Sequence, residues 1–424
     1  MKKSILISLA VLLCGSTAFA QEETPSKFKL YGFIRNYLIV DTREVNAGTN
    51  DLYFYMPKDK NMQGNVDMNE GINWRYLSLT TRLGLDVSGY KFGSMNVSGK
   101  VEADFYSLSG TSASAIVPQL RLRQAFMKLT WDESPLALTL GQAWHPMGVD
   151  LPHITNLESG APFNPFNRTP QITADVKLGQ TLTFTASLLY LNHFLPTGPN
   201  GKSAEYYKYG LPEVFVGLGF KSGDWALKTG VDMVNSKPYR TIAESTAEGA
   251  AQVKAKGLLT TLSPFFFLQY THGLFQLRAK TILAQSGEHL NLLSGYGVSK
   301  IDYTNHRYEY TPMQDWASFV SFQYGKKFQV MSTFGYFKQL GTTKDLLDPD
   351  GLLWLNGAAD AKIQQAFRAT PTVAWNIGKF TVSLEYNLTA GQFGRGTRNA
   401  RGMFDGTPEW IMNHRFICMT KFNF

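Results

Sequence analysis

From Lys27 to the chain end, apolar and polar residues alternate with a period of two over segments of about 9–15 residues, the signature of strands with two unlike faces. Residues 74–86 and the segment after them are the clearest pair. In the first, Leu77, Leu79, Thr81, Leu83, Leu85 and Val87 fall on one face; Trp74, Tyr76, Ser78, Thr80, Arg82, Gly84 and Asp86 fall on the other. In the second, Met95, Val97, Gly99, Val101, Ala103 and Phe105 oppose Asn96, Ser98, Lys100, Glu102 and Asp104. A face that carries Lys100, Glu102 and Asp104 together must see water. About sixteen segments repeat this design: residues 27–41, 73–88, 94–107, 119–131, 136–144, 170–178, 181–193, 212–221, 225–235, 257–270, 274–286, 316–324, 328–339, 363–375, 380–390 and 410–424.

Two kinds of connection separate them. Residues 89–93, 133–135, 178–180, 222–224, 271–273, 325–327 and 376–379 are tight turns rich in Gly and polar residues. Residues 43–73, 107–118, 145–169, 192–211, 236–256, 287–315, 341–362 and 391–409 are long loops. Loops of that length count against a compact soluble β domain. They fit an all-β fold, a transmembrane antiparallel β-barrel of about 16 strands (16–18), with short periplasmic turns, long extracellular loops and both termini periplasmic. Alternation at Ile301, Tyr303 and Tyr308 predicts a strand running out beyond the membrane. Tyr31, Phe33, Trp74, Tyr76, Trp131, Trp225, Tyr270, Trp316, Tyr324, Trp375 and Trp410 stand at strand ends, where interfacial aromatic girdles lie.

Composition narrows the compartment. Residues 1–20 read as a cleaved signal peptide: Lys2 and Lys3, an apolar run over 5–14, then Ala18 and Ala20 around Phe19. Leu13 before Cys14 is not the small residue that lipidation favours. Residues 21–424 then form one barrel domain. The formal net charge is +8, and two of its lysines lie in the leader. No later stretch approaches the ~20 apolar residues of a membrane-spanning helix. Beyond the leader Cys418 stands alone, so no disulfide can form within the chain. The seven His include no H-E-x-x-H pair, and no G-x-S-x-G elbow is present. Neither catalysis, a metal, a cofactor nor a nucleic-acid partner is expected.

Phe416, Cys418, Thr420, Phe422 and Phe424 share one face of the last segment. This ending resembles the closing strand of bacterial outer-membrane barrels. The resemblance implies that Phe416, Phe422 and Phe424 are a signal read by the barrel-assembly machinery. Two further stretches, LRLRQAFMKLTW and LALTLGQAWHPMG, resemble the Arg-x-Arg-x-Ala strand and the GQxW strand-to-loop junction of the DcaP-like and phosphate-selective porin groups of Gram-negative outer membranes. That resemblance implies a porin. His145-Pro146 follows the junction here, and no phosphate site transfers residue by residue.

Residues 145–169 form the third long loop, with apolar anchors at Leu151, Ile154, Leu157, Phe163 and Phe166. In classical porins the third loop folds inward and narrows the pore; by analogy this stretch is the expected constriction loop. Taking the polar face of each strand as inward gives pore-lining candidates: Arg82, Lys100, Arg121, Arg123, Lys228, Arg278, Lys280, Arg368 and Arg415, with Asp86, Glu102, Asp104, Asp232 and Glu385. Arg121 and Arg123 either face Asp150 and Glu158 on the loop, which would set a transverse field, or pair with carboxylates on adjacent strands. The basic excess favours anions mildly. Arg395, Arg398 and Arg401 in the last long loop either meet lipopolysaccharide phosphates or are simply solvated.

The expected function is passive diffusion of small hydrophilic solutes across the outer membrane, by a barrel in contact with outer-membrane lipid and in such families often a homotrimer. The alternatives are a FadL-like transporter of hydrophobic molecules and a non-conducting barrel acting as a surface adhesin or assembly partner.

Overall fold

The computed structural model describes residues 27–48, 53–106, 119–157, 159–194, 198–199, 203–354 and 361–424. The leader, residues 1–20, lies outside them. The wall is a closed antiparallel barrel of 16 strands. In chain order these are β1 (Lys27–Arg43), β2 (Glu70–Leu77 continued by Arg82–Phe92), β3 (Met95–Tyr106), β4 (Gln119–Trp131), β5 (Leu136–Trp144), β6 (Arg168–Leu178), β7 (Leu182–Leu189) and β8 (Leu211–Ser222). The second half comprises β9 (Trp225–Ser236), β10 (Leu259–His272), β11 (Phe275–Gln285), β12 (Arg307–Gly325), β13 (Phe328–Thr342), β14 (Ile363–Ala369 continued by Thr372–Ile377), β15 (Phe380–Phe393) and β16 (Glu409–Asn423). Each pairs with its sequence neighbour, and β1 pairs with β16 from Phe33↔Asn423 to Asp41↔Arg415, which closes the cylinder and leaves no edge.

The alternation sorts as a membrane barrel requires. Leu30, Ile34 and Leu38 point outward from β1, while Tyr37, Ile39 and Asp41 are buried inside. On β16 Trp410, Met412, Phe416, Phe422 and Phe424 are exposed on the outer face, and Arg415, Ile417 and Met419 are buried on the inner one. Outward Trp74, Trp225, Trp316, Tyr324 and Trp375 rim the barrel. Gly295–Asp302 pairs with the outer end of β12, so the alternation at 301–308 does mark a hairpin continued past the wall.

Two face assignments are corrected. The alternation over 74–86 predicts one unbroken phase, yet Trp74 and Tyr76 point out while Arg82, Gly84 and Asp86 point in. Between the pairs Phe33↔Arg82 and Tyr37↔Leu77, β2 carries one residue more than β1, and Thr80 sits in the left-handed region at φ 65°. An extra residue flips every side chain beyond it to the other face. Arg35 holds the bulge, its Nε and Nη2 donating to Thr80 Oγ1 at 3.1 and 2.6 Å. Tyr31 and Phe33, read as girdle residues, face the lumen: Tyr31 Oη donates to Glu102, and Arg35 and Arg82 lie over the Phe33 ring. In β14 the break falls at Pro371, which has no N–H for the ladder, and the phase is kept.

The core lies inside the barrel. Long loops bring Tyr55, Met56, Phe163, Phe166, Leu290 and Leu292 against inward Phe215, Phe267, Phe337 and Phe393. Three loops contribute, 44–69, 145–167 and 286–294.

Candidate functional site: the barrel lumen

The junction at the end of β5 sets the path of the third loop. Gly141 has φ 123°, and a Cβ there would stand 2.3 Å from the Ala125 carbonyl oxygen, so only glycine fits. Trp144 follows, its ring 4.7 Å under the Arg168 guanidinium and edge-on to Phe166 at 5.2 Å. His145 N–H donates to Asn167 O, closing the base of the loop.

Beyond that base the loop is tied to the inner wall almost residue by residue. Lys280 Nζ donates to Met147 O, Asp150 O and Asn164 Oδ1 at 2.7, 2.9 and 2.9 Å. Lys228 pairs with Asp150 at 2.7 Å, and Arg278 Nη1 donates to Leu151 O at 2.7 Å. His153 N donates to Ser321 Oγ, and Thr333 Oγ1 donates to His153 O, both at 2.8 Å. Thr155 N donates to Glu385 Oε2 at 2.6 Å, and Tyr37 Oη to Thr155 O at 3.2 Å. Arg368 Nη1 donates to Ala161 O, and its Nη2 to Tyr55 O in the first loop. Phe163 lies on bare backbone at Gly335, where a Cβ would come within 2.4 Å of its ring. Residues 147–163 thus touch β9, β11, β12, β13, β14, β15 and β1. His153 is held down to about 4 by burial and by the Arg278 charge, so it is neutral at pH 7.

Opposite this loop, β1–β4 carry a compact group of charges. Arg121 binds Asp104 through two bonds of 3.0 and 2.9 Å, and Arg123 bridges Glu102 and Asp104 at 2.8 and 2.7 Å. Arg82 reaches Glu102 at 3.5 Å. Three guanidiniums thus share two carboxylates, with a fourth, Arg35, beside them on Thr80. Lys100 pairs with Asp86 at 2.8 Å. Along β4–β10, beneath the base of the loop, a cavity of about 650 Å³ remains, lined by Lys128, Thr139, Thr173, Asp175 and Lys228 together with Phe126, Trp144, Phe215 and Phe265.

The expected pairing therefore resolves to the adjacent-strand alternative. Among the described residues Arg121 and Arg123 bind Asp104 and Glu102, and Asp150 binds Lys228 on the far wall. Glu158 lies outside the described residues. Arg278, Lys280 and Arg368 do point inward, but Lys280 and Arg368 are 3% and 2% exposed beneath the loops and present no charge to open lumen. Arg415 is likewise buried, on Asp41 at 2.8 Å. In the last long loop Arg395 binds Asp59 and Glu409, and Arg398 binds the carbonyls of Gly402 and Ala361. That loop is tied internally rather than merely solvated.

Two contributors escaped sequence reading: the first loop and residues 286–294. Tyr53–Pro57 inserts Phe54, Tyr55 and Met56 into the bore, and Tyr55 Oη donates to Asn291 O at 3.1 Å. The consecutive aromatics at 53–55 and the apolar run at 290–293 were the available signal.

Wall and inward loops define the class at the level of architecture: a closed sixteen-stranded antiparallel β-barrel of the porin fold. No protein-family model matches the sequence, and no curated protein is detectably similar to it. Among solved structures the chain is similar to the outer membrane channel DcaP of Acinetobacter baumannii, at 18% identity and TM-score 0.66 over 94% of this chain and 97% of that one. It is similar to the anion-selective porin from Comamonas acidovorans, at 10% identity and TM-score 0.52 over 94% and 100%. It is also similar to outer-membrane expressed OmpT of Vibrio cholerae, at 13% and 0.53 over 95% and 99%. At these identities the likeness is one of fold.

Proposed function

We propose that the chain is an outer-membrane porin for passive diffusion of small hydrophilic solutes, with residues 145–169 as its constriction loop and a mild preference for anions. The observation that carries this reading is the lumen: a loop fixed across one side, and on the other Arg35, Arg82 and Arg121, part-exposed beside the buried Arg123, Glu102 and Asp104. Unbalanced positive charge beside a narrow aqueous path attracts anions, and partial desolvation strengthens the effect. Two structural relatives bear the names of a channel and an anion-selective porin, which is consistent with this assignment.

In this reading the turns and both termini are periplasmic and the long loops extracellular. Residues 1–20 are a signal peptide removed on export. Phe416, Phe422 and Phe424 present the assembly signal on the outer face of the closing strand. A homotrimer is the working assembly; one solved structure of OmpT of Vibrio cholerae is described as a trimer form. Lipopolysaccharide would meet the outer rim.

The test is single-channel conductance of the refolded protein in a planar bilayer under a salt gradient. Stable open steps with a reversal potential of anion sign are expected. Steps of cation sign would leave the porin and overturn the charge reading. Silence from a folded, heat-modifiable barrel would overturn the porin.

A further inference from the structure

We propose that His145, Glu213, Asp232 and His289 form a binding site for one divalent transition-metal ion of the zinc class, which staples two inward loops to the wall. The residues come from four separate parts of the chain. His145 is the first residue past β5, Glu213 and Asp232 face inward on neighbouring β8 and β9, and His289 sits in the short 3-10 turn Glu288–Leu290. All four are at most 1% exposed.

The imidazole and carboxylate atoms already lie at near-ligand spacing. His145 Nε2 is 2.6 Å from Glu213 Oε1 and 3.6 Å from Asp232 Oδ1, while His289 Nε2 is 3.0 Å from Asp232 Oδ2 and 3.7 Å from Glu213 Oε1. Around a tetrahedral ion with bonds near 2.0–2.1 Å, ligand atoms stand about 3.3 Å apart. The four imidazole–carboxylate separations bracket that value, with His145 facing Asp232 Oδ1 and His289 facing Oδ2, so Asp232 turns to give the ion one oxygen. One atom each from His145, Glu213 and Asp232 already lies within 4.8 Å of the others, and His289 completes the set from outside that trio.

Two features point to a ligand rather than a finished hydrogen-bond network. Glu213 Oε2 and Asp232 Oδ1 are buried without a hydrogen-bond partner, and an unpaired buried carboxylate oxygen is costly. One divalent cation with both imidazoles neutral also balances the charge of the two carboxylates.

Metal binding has a consequence on the Nδ1 side of His145. Met147 N donates to His145 Nδ1 at 3.2 Å. Coordination through Nε2 puts the ring proton on Nδ1, so that contact opens when the ion binds. Two imidazoles with two carboxylates form a borderline donor set that suits zinc and its first-row neighbours better than calcium or magnesium.

The test uses the full-length refolded barrel, stripped with chelator and then titrated with Zn²⁺ and with Co²⁺. The expected result is one ion per chain by elemental analysis, and a Co²⁺ visible spectrum of tetrahedral type. Asp232→Asn and Glu213→Gln keep side-chain volume and are expected to weaken binding at least about tenfold while remaining heat-modifiable. Should both variants fail to fold, X-ray absorption at the zinc edge of the wild type decides alone: a shell with two imidazoles upholds the site, and a shell without imidazole overturns it. A folded wild type that takes up no stoichiometric metal overturns it, as does uptake unchanged in the folded variants.

Discussion

Lys280→Met isolates what one ammonium contributes to holding the third loop. Lys280 Nζ donates to Met147 O, Asp150 O and Asn164 Oδ1, and lies 5.6 and 5.8 Å from the Phe267 and Phe319 ring centroids. Methionine keeps an unbranched apolar stem, so the change removes the ammonium and its contacts with little loss of packed volume. A hydrogen bond to a charged group nets about 1.5–3 kcal/mol, so three give an upper figure of about 5–9 kcal/mol. Burying the ammonium costs several kcal/mol of that, which leaves about 2–4 kcal/mol of anchoring. The docked-to-undocked ratio of residues 147–151 should fall by a factor of about 30 to several hundred, since each 1.4 kcal/mol is about tenfold. Lys228 on Asp150 and Arg278 on Leu151 remain, so the segment loosens without leaving the bore. Planar-bilayer recording should show higher open-channel noise and a larger mean conductance, and limited proteolysis should clip residues 145–169 faster. The barrel's own unfolding midpoint should barely move, because the wall ladders are untouched. Unchanged noise together with unchanged protection of the loop would refute the view that Lys280 pins it.

Three further outcomes follow from the same geometry. Arg82→Gln removes the most loosely held guanidinium of the β1–β4 group, 3.5 Å from Glu102. The reversal potential in a salt gradient should move toward cation sign, most clearly below about 0.1 M salt, where the Debye length exceeds about 10 Å; no movement would remove Arg82 from selectivity. Gly335→Val drives a side chain into Phe163, whose Cγ lies 2.4 Å from the Cβ position. An overpacking cost of about 1–3 kcal/mol should lower the urea midpoint and raise conductance as Phe163 lifts, and a variant as stable and quiet as wild type would contradict the packing. His153 has its folded pKa lowered to about 4 by burial and by Arg278, against 6.5 when unfolded. The unfolded chain therefore binds the proton first, and stability present above pH 6.5 is lost as the pH falls toward 4. His153→Gln should flatten that part of the urea-midpoint profile; an unaltered slope would assign it to other groups.

The wall was legible in sequence because its rule is local. Period-two alternation with tight turns locates each of the sixteen strands, and even the hairpin beyond β12 announces itself through Ile301, Tyr303 and Tyr308. Phase was legible only where no residue is inserted. The bulge at Thr80 carries no turn signature such as Gly or Pro, so Trp74 and Tyr76 read as companions of Arg82 although they lie on the opposite surface. The third loop was half legible: Leu151, Phe163 and Phe166 betray an interior destination, but nothing local names Lys280 or Arg368 as its anchors.

The deeper reason is that an inward polar face has two uses that look identical in one dimension. Lys100 and Arg121 lie partly open to the lumen, whereas Lys280, Arg368 and Glu385 satisfy backbone groups of a loop that must survive inside a barrel. A buried loop brings unpaired N–H and C=O groups that need partners, and the wall supplies them with charged side chains placed by strand register. Reading all such charges as pore lining therefore overcounts the field in the lumen. His145, Glu213, Asp232 and His289 make the same point for chemistry. Their sequence separations match no short-range ligand motif, yet barrel closure and two inward loops bring them together in one buried cluster. Register and loop docking, which are set only by the closed fold, decide which inward charges face solute and which hold the protein together.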